Sequence, residues 1–286
     1  MKIRVLLVIS IFCFINNLCS ESGYYTPQNI HSFAEHLFQE GDYLRAAGEY
    51  ERYLYLKENT DAAILYKIAL CYELSHQPDK AVRYFNKIIQ ESQQPELITA
   101  SHYQIAHVFY FTHKYQQSNQ YLLNHSQQFS SPKNRQKAEL LQGVNLLYQK
   151  DWKNAGNIFS SLASPERPKI QQLNTLSLSG SQLKYKKPAI AGCLSAIIPG
   201  TGKFYSGRIS DGLYSFITIT LSAWQAYEGF SDDGEQSLKG WIYGGLGTVF
   251  YLGNIYGSVV SVKLYNNKLD EKILDQVNID LIWTIE

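Results

Sequence analysis

The residues best suited to chemistry lie in a glycine-rich stretch near the C-terminus. Gly200-Thr201-Gly202-Lys203 contains glycines and a lysine of the kind that cradle phosphate. A phosphate-binding loop would also need glycine where Ile197 stands and Ser or Thr where Phe204 stands. We therefore reject a nucleotide site here.

The histidines and paired carboxylates are not spaced for catalysis or metal binding. All seven His precede residue 164, and none lies four residues from another, the spacing that sets two imidazoles on one helical face. His102 and His107 are five apart, and Asp232-Asp233 lies in a polar segment where solvated carboxylates are expected. We expect no catalytic residues, no metal, no cofactor and no enzymatic activity.

Length and charge limit the function classes. The 286 residues have room for two modest domains, and a net charge of +1 gives no electrostatic footprint for nucleic acid. Tyr is abundant, at 22 residues, and its apolar ring with a polar tip suits repeat edges and membrane interfaces.

The first 20 residues have the layout of a signal peptide. A basic start with Lys2 and Arg4 precedes an apolar run from Val5 to Ile15 and a polar end, with cleavage expected after Ser20. An uncleaved anchor helix and a lipid on Cys19 are the alternatives. The leader predicts export.

A helical repeat occupies residues 27–163. Its small anchor residues are separated by 35, 37 and 37 residues, and each is followed one turn later by a large side chain. In the first repeat, Ala46, Tyr50 and Tyr53 fall at i, i+4 and i+7, which is helical spacing. The four anchors are Ala46, Ala81, Ser118 and Ala155.

This period and its small-then-aromatic order resemble the tetratricopeptide repeat (TPR) family. The resemblance implies four helix pairs stacked into a solenoid. The sequence departs from the pattern at Ser118, which replaces the usual Ala, and at His113 and Lys150, which stand where the first repeat has Gly41. An irregular helical bundle of the same length is the alternative.

The family geometry also implies a concave groove lined by the first helix of each pair, which binds a protein or peptide. Packing against a neighbouring repeat is the other reading for each of these side chains. The predicted groove residues are His31, Glu35, Phe38, Tyr66, Glu73, Tyr103, His107, Tyr110 and Tyr148.

Residues 164–187 are predicted to end the repeats. Pro165 and Pro168 break the pattern, a capping helix is expected over 169–183, and Lys184, Lys186 and Lys187 form a basic hinge.

Residues 188–265 are predicted to be a membrane module, followed by a C-terminal tail over 266–286. The apolar run 189–198 is too short to cross a bilayer and stops at Pro199-Gly200. Two longer apolar segments, about 212–229 and 241–264, are the predicted spans. A soluble glycine-rich core is the alternative.

Two glycine pairs in the second span predict close helix packing. Gly240 with Gly244, and Gly253 with Gly257, have GxxxG spacing, which lets helices approach within lipid. They would be destabilising in a soluble helix.

The turn before the spans resembles the TM2 domain and related bacterial Gly-rich membrane hairpins. The residues that carry the resemblance are Pro199, Gly200, Gly202, Tyr205 and Gly207. It covers about a quarter of the chain and implies membrane placement more than an activity.

Export and charge distribution disagree on topology. Exported repeats would place residues 184–208, which hold five Lys or Arg, outside, although basic residues favour the cytoplasmic side. We expect these basic side chains to contact anionic lipid headgroups. A third crossing element beginning at Ala189 is the alternative.

The sequence therefore predicts an all-α protein, with a TPR-like helical solenoid followed by a small α-helical membrane hairpin. The predicted function is a membrane-anchored scaffold that binds a protein or peptide in the cell envelope, with the repeats in the periplasm of a bacterium. Membrane lipid, a second copy or another membrane protein are further expected partners. The alternative is an oligomeric channel or transport-accessory subunit whose repeats recruit or gate.

Overall fold

The computed structural model describes residues 25–58, 60–164 and 167–277 and is all-helical over them, with no strand. The predicted signal peptide, 1–20, and the end of the predicted tail lie outside the described residues. The chain divides into two compact units, Met1–Gln149 and Lys150–Glu286, called here the N-terminal and the C-terminal unit.

Seven α-helices make up the described part of the N-terminal unit, and successive helices pack against each other. They are α1 (Pro27–Gln39), α2 (Tyr43–Lys57), α3 (Ala62–Leu74), α4 (Pro78–Glu91), α5 (Pro95–Phe111), α6 (Tyr115–Asn124) and α7 (Pro132–Tyr148). Small side chains at the helix contacts and large ones beside them are fully buried; these include Ala34, Ala46, Tyr50, Ala69, Ala81, Phe85, Ala106 and Ser118.

Local sequence signals explain where these helices begin. The Thr26 and Ser131 side chains each accept a hydrogen bond from a backbone amide of the first turn that follows, and a proline opens both helices. Asp42 and Asp61 cap α2 and α3 in the same way. Such caps satisfy amides that have no partner within the helix.

The same turn recurs after α1, α3, α5 and α7. Gly41, His76, His113 and Lys150 all have left-handed backbones, with φ of 80°, 58°, 58° and 62°. In the first three turns the amide of the next residue donates to a carbonyl five residues back, at 2.8–2.9 Å. The hydrogen bonds hold this turn even where the residue is not glycine.

The described part of the C-terminal unit contains six α-helices. They are α8 (Trp152–Leu162), α9 (Pro168–Ser181), α10 (Pro188–Ile197), α11 (Thr201–Tyr205), α12 (Ile209–Asp233) and α13 (Leu238–Leu274). Helices α8 and α9 pack together, and α13 packs against α10, α11 and α12.

Among the described residues, α13 is the one helix long and apolar enough to cross a membrane by length and composition. The predicted span 241–264 lies within it. The other predicted span, 212–229, lies within α12, which does not meet that criterion because Ser, Thr and the flanking acidic residues lower its hydropathy. The short run 189–198 forms the ten-residue α10, which ends before Gly200.

Candidate functional site

The predicted groove residues fall into two clusters within the N-terminal unit. The first lies around Glu35 on α1. Tyr50 on α2 donates a hydrogen bond to Glu35 Oε1 at 2.7 Å, and Lys67 on α3 donates to the same oxygen. His31, one turn earlier, lies 3.5 Å from it. Sequence reasoning missed Tyr50 and Lys67 as partners of this carboxylate.

The Glu35 carboxylate is held in its charged form. Burial alone would raise its pKa, but the hydrogen bonds from Lys67 and Tyr50, with the Lys67 charge, outweigh it and lower the pKa below its usual value. The group is thus already satisfied by its own chain. Phe38, further along α1, packs against Tyr43 and the apolar core instead.

The second cluster, called here the tyrosine face, comes from α3, α5 and α7. Its residues are Tyr66, Glu73, Tyr103, Gln104, His107, Tyr110 and Tyr148. At its centre His107 Nδ1 lies 2.6 Å from Glu73 Oε1. The two side chains are 10% and 8% exposed, which makes this a nearly buried pair joining α3 to α5.

Aromatic rings continue the tyrosine face from α5 to α7. Tyr103 and Tyr110 stack on either side of His107, with centroid distances of 6.2 Å each. Tyr110 meets Tyr148 edge-on at 5.9 Å, and Tyr115 stacks on Tyr148 at 4.8 Å. These contacts join aromatic rings from α5, α6 and α7 into one cluster.

Two oxygen atoms on this face are buried without a hydrogen-bond partner in the part of the chain that the structure describes. They are Glu73 Oε2 and Gln104 Oε1. The amide of Gln104 donates to the Tyr66 hydroxyl at 3.3 Å. Burial, and then the charge of Glu73, raise the pKa of Tyr103, and both also contribute to the raised pKa of Tyr66.

Six of the nine predicted groove residues lie in the tyrosine face, whereas the contacts of His31, Glu35 and Phe38 described above are with other residues. Tyr66, Tyr103 and Tyr148 are half-buried, whereas Tyr110 is only 4% exposed and packs as core. Gln104 was missed, although its place three residues before His107 puts it on the same side of α5.

In the C-terminal unit the predicted membrane turn is held from α13. Gly200 N donates to Asn254 Oδ1 at 3.2 Å, and Gly202 N donates to Ser195 Oγ at 2.9 Å. The Ser195 and Ser258 hydroxyls are 2.7 Å apart. Asn254 was not among the predicted site residues. The sequence feature that could have identified it is a single amide side chain in a largely apolar run.

The other predicted turn residues differ in their contacts. A Cβ on Gly202 would lie 2.0 Å from the Ala191 carbonyl oxygen, whereas nothing lies within 4 Å of the same position on Gly207. Tyr205 accepts a hydrogen bond from Lys187 N at its hydroxyl, at 3.3 Å. The turn is thus packed at one end and open at the other.

Two of the basic residues expected at lipid headgroups are bound by the protein. Lys203 Nζ donates to Ser215 Oγ at 2.7 Å, and Lys186 Nζ donates to the Tyr205 carbonyl at 2.8 Å. Lys186 Nζ also lies 4.1 Å from the centre of the Tyr265 ring. Each ammonium group therefore has a partner within its own chain.

The two glycine pairs play different roles. A Cβ on Gly240 would lie 2.7 Å from the Phe230 ring, so this glycine admits the close approach of α12 and α13. Gly244 and Gly257 have only ordinary contacts, with Ala226 and Lys203. Nothing lies within 4 Å of a Cβ on Gly253. Of these four glycines, close packing therefore requires the absence of a side chain only at Gly240.

Helices α10 to α13 have small and polar residues inside and large apolar residues outside. Its interior includes Ser195, Gly200, Gly202, Gly212, Asn254 and Ser258, all buried. Its surface includes Leu213, Tyr214, Leu221, Trp224, Tyr227, Trp241, Val249, Leu252 and Tyr256, each more than half exposed. A water-soluble helical domain has the opposite arrangement.

A buried carboxylate fixes the end of α13. Asp270 is 3% exposed, and it pairs with Lys150 Nζ at 2.6 Å and accepts from the Tyr185 hydroxyl at 2.5 Å. Trp152 Nε1 donates to the same hydroxyl at 3.0 Å. Each partner offsets the cost of burying the Asp270 charge.

Within residues 25–58, 60–164 and 167–277, no three His, Cys, Asp or Glu side chains are grouped to hold a metal ion. Comparison of the chain with protein-family models, with curated proteins and with solved structures finds no match.

Proposed function

We propose that the protein is a membrane-attached scaffold, anchored by the helices of its C-terminal unit and binding a protein or peptide partner through its N-terminal unit. One observation carries this proposal. In helices α10–α13, small and polar residues are buried and large apolar residues are exposed.

Exposed apolar side chains on this scale are costly in water. Burying apolar surface gains about 25 cal/mol per Å², so a water-soluble chain would turn Leu213, Trp241 and Leu252 inward. Lipid removes that cost, and it favours small residues between helices. In α13, only 22% of the most apolar window is buried within the chain, which suits a helix that faces lipid.

The recurring left-handed turn supports a repeat architecture of the TPR type. Positions 41, 76, 113 and 150 are spaced by 35 to 37 residues and share one backbone conformation. In such an architecture the first helices of the pairs, α1, α3, α5 and α7, line the binding groove.

The tyrosine face is the proposed partner site. It is built from α3, α5 and α7, and it offers half-buried aromatic rings together with polar atoms. Tyr is enriched in protein interfaces because it combines a large apolar ring with a hydroxyl. The partner is proposed to lie in the cell envelope, to which the signal-like leader would direct the protein.

A crosslinking experiment tests the partner site. Full-length protein, tagged and crosslinked in its native cells, is expected to capture a defined protein, and Tyr66→Ala with Tyr148→Ala is expected to reduce capture several-fold. Tyr55→Ala is the control, because Tyr55 is 82% exposed on α2, outside the tyrosine face. Tyr110 is left intact because its burial makes it part of the core. Unchanged capture by a folded double variant would contradict the proposed site.

A further inference from the structure

The tyrosine face contains two acceptor atoms that the described residues leave unsatisfied. Glu73 Oε2 and Gln104 Oε1 are buried and have no hydrogen-bond partner within residues 25–58, 60–164 and 167–277, although Glu73 uses its other oxygen to hold His107. A buried polar atom without a partner destabilises the folded protein. Such atoms are uncommon in folded proteins and call for an explanation.

The chemistry of these two oxygens determines which kind of group could form hydrogen bonds with them. Both are acceptors, so the missing group must donate hydrogen bonds, and Glu73 adds a negative charge. Tyr66 and Tyr103 lie within reach of that charge. The faces of their rings attract cations. A positively charged donor therefore fits this site better than a neutral or acidic group.

Among the cationic side chains, arginine fits best. A guanidinium has five N–H donors in one plane and can stack on an aromatic ring while donating to two acceptors. A lysine ammonium is compact and strongly hydrated, so it loses more on leaving water. Tyr66, Tyr103 and Gln104 are half-buried as whole residues, whereas the two acceptor oxygens themselves are buried.

We propose that the partner of the tyrosine face presents an arginine side chain, whose guanidinium donates to the two orphan oxygens and stacks on the tyrosine rings beside them. This assignment rests on the proposed function, which gives the face a protein or peptide partner. The arginine assignment adds the chemical group through which that partner would contact the tyrosine face.

The test is a calorimetric titration of the full-length protein in detergent micelles. The probe is the peptide acetyl-Ala-Ala-Arg-Ala-Ala-amide, and its control has citrulline, which has the shape of arginine without its charge. We expect the citrulline peptide to bind about tenfold more weakly or worse, because hydrogen bonds to charged groups are the strong ones. Glu73→Gln is expected to weaken the arginine peptide by a similar factor. Glu96→Gln, an exposed change of the same charge on α5, is expected to leave binding unchanged.

A second variant guards against loss of binding through misfolding. Gln104→Glu places a second negative charge beside the proposed guanidinium, so it is expected to tighten binding of the arginine peptide several-fold. A gain of affinity cannot arise from an unfolded protein.

Equal binding of the arginine and citrulline peptides would overturn the assignment, as would full affinity in a folded Glu73→Gln variant. Free arginine amide binding as tightly as the peptide would show a small guanidinium ligand instead, and would also contradict it. If crosslinked capture depends on Tyr66 and Tyr148 while arginine binding fails, the partner site stands and only the arginine assignment falls. Arginine binding without any captured protein would contradict the proposed function and not the guanidinium chemistry.

Discussion

Gly200 and Gly207 share one backbone conformation but have different surroundings. Both have φ of +89°, where residues other than glycine are strained. A Cβ on Gly200 would lie 2.1 Å from the backbone oxygen of Gly212, whereas a Cβ on Gly207 would meet none of the described residues within 4 Å. Substituting each glycine therefore distinguishes two losses of stability, one from backbone strain and one from steric overlap with neighbouring atoms.

Alanine at each position tests this difference. Gly207→Ala is expected to lose about 1–2 kcal/mol, the cost of a left-handed backbone. Gly200→Ala must also displace backbone of α12, so it is expected to lose clearly more, up to failure to fold. Thermal unfolding of the full-length protein in detergent measures both, and equal losses would contradict the packing described for this turn.

His102 makes stability depend on pH. Burial, together with the nearby His125, lowers the pKa of His102 from 6.5 to about 4. Between about pH 6.5 and about pH 4, His102 is protonated in the unfolded chain but not in the folded one. The free energy of unfolding therefore falls as the pH drops through this range. The Tyr121 hydroxyl, 3.0 Å from His102 Nδ1, is the nearest polar contact.

Removing the histidine should remove this slope. His102→Gln is expected to unfold with less pH dependence between pH 6.5 and 4, as measured by denaturant unfolding at several pH values. His36→Gln, which changes an exposed histidine on α1, is expected to keep the slope. A variant at His102 with an unaltered slope would mean that another group titrates.

Single residues were predictable where their local sequence was informative. Gly200 and Gly202 stand in a Pro-Gly turn that interrupts an apolar run, and the structure packs both tightly. Asn254 and Gln104 were missed because their partners lie 54 and 38 residues away in sequence. Periodicity gives the face of a helix but not the helix that meets it.

At the scale of helices, Ser118 shows why a departure from the repeat pattern is tolerated. It is fully buried, donates to the Ala106 carbonyl at 2.7 Å and accepts from Asn145 Nδ2 at 2.8 Å. Alanine would fill the same space but would leave the Asn145 amide with one acceptor fewer. The Ser118 hydroxyl on α6 therefore provides a hydrogen-bond acceptor for the Asn145 amide on α7.

This pairing predicts non-additive stability changes. Ser118→Ala is expected to cost about 1–3 kcal/mol, because buried polar atoms lose their partner. Adding Asn145→Leu is expected to cost little more, since both ends of the interaction are then removed. Ser32→Ala, on the exposed side of α1, is the control. Additive losses in thermal unfolding would show that the two side chains act independently.

Helix type was predictable and turn conformation was not. Small and large residues at helical spacing predicted an all-α chain, which the structure confirms over the described residues. His76, His113 and Lys150 adopt the left-handed backbone that Gly41 adopts, against their own preference. Hydrogen bonds and packing of the flanking helices impose it, and those act beyond the range of local propensity.

At the scale of the whole molecule, the described parts of the two units differ in how they use apolar residues. The N-terminal unit buries Tyr50, Phe85 and Ile105, whereas helices α10–α13 of the C-terminal unit expose residues such as Trp224 and Trp241. The apolar runs were evident in the sequence. Which side chains they would turn outward was not, because that depends on the small residues that pack between the helices.

The most direct measurement is alkaline carbonate extraction of membranes from cells that express the full-length protein. The proposed anchor predicts that the protein stays in the membrane pellet at high pH, because apolar contact with lipid does not depend on charge. A peripheral membrane protein in the same extract should be released and serves as the control. Release of this protein into the supernatant would contradict the membrane anchor, the central claim of the proposed function.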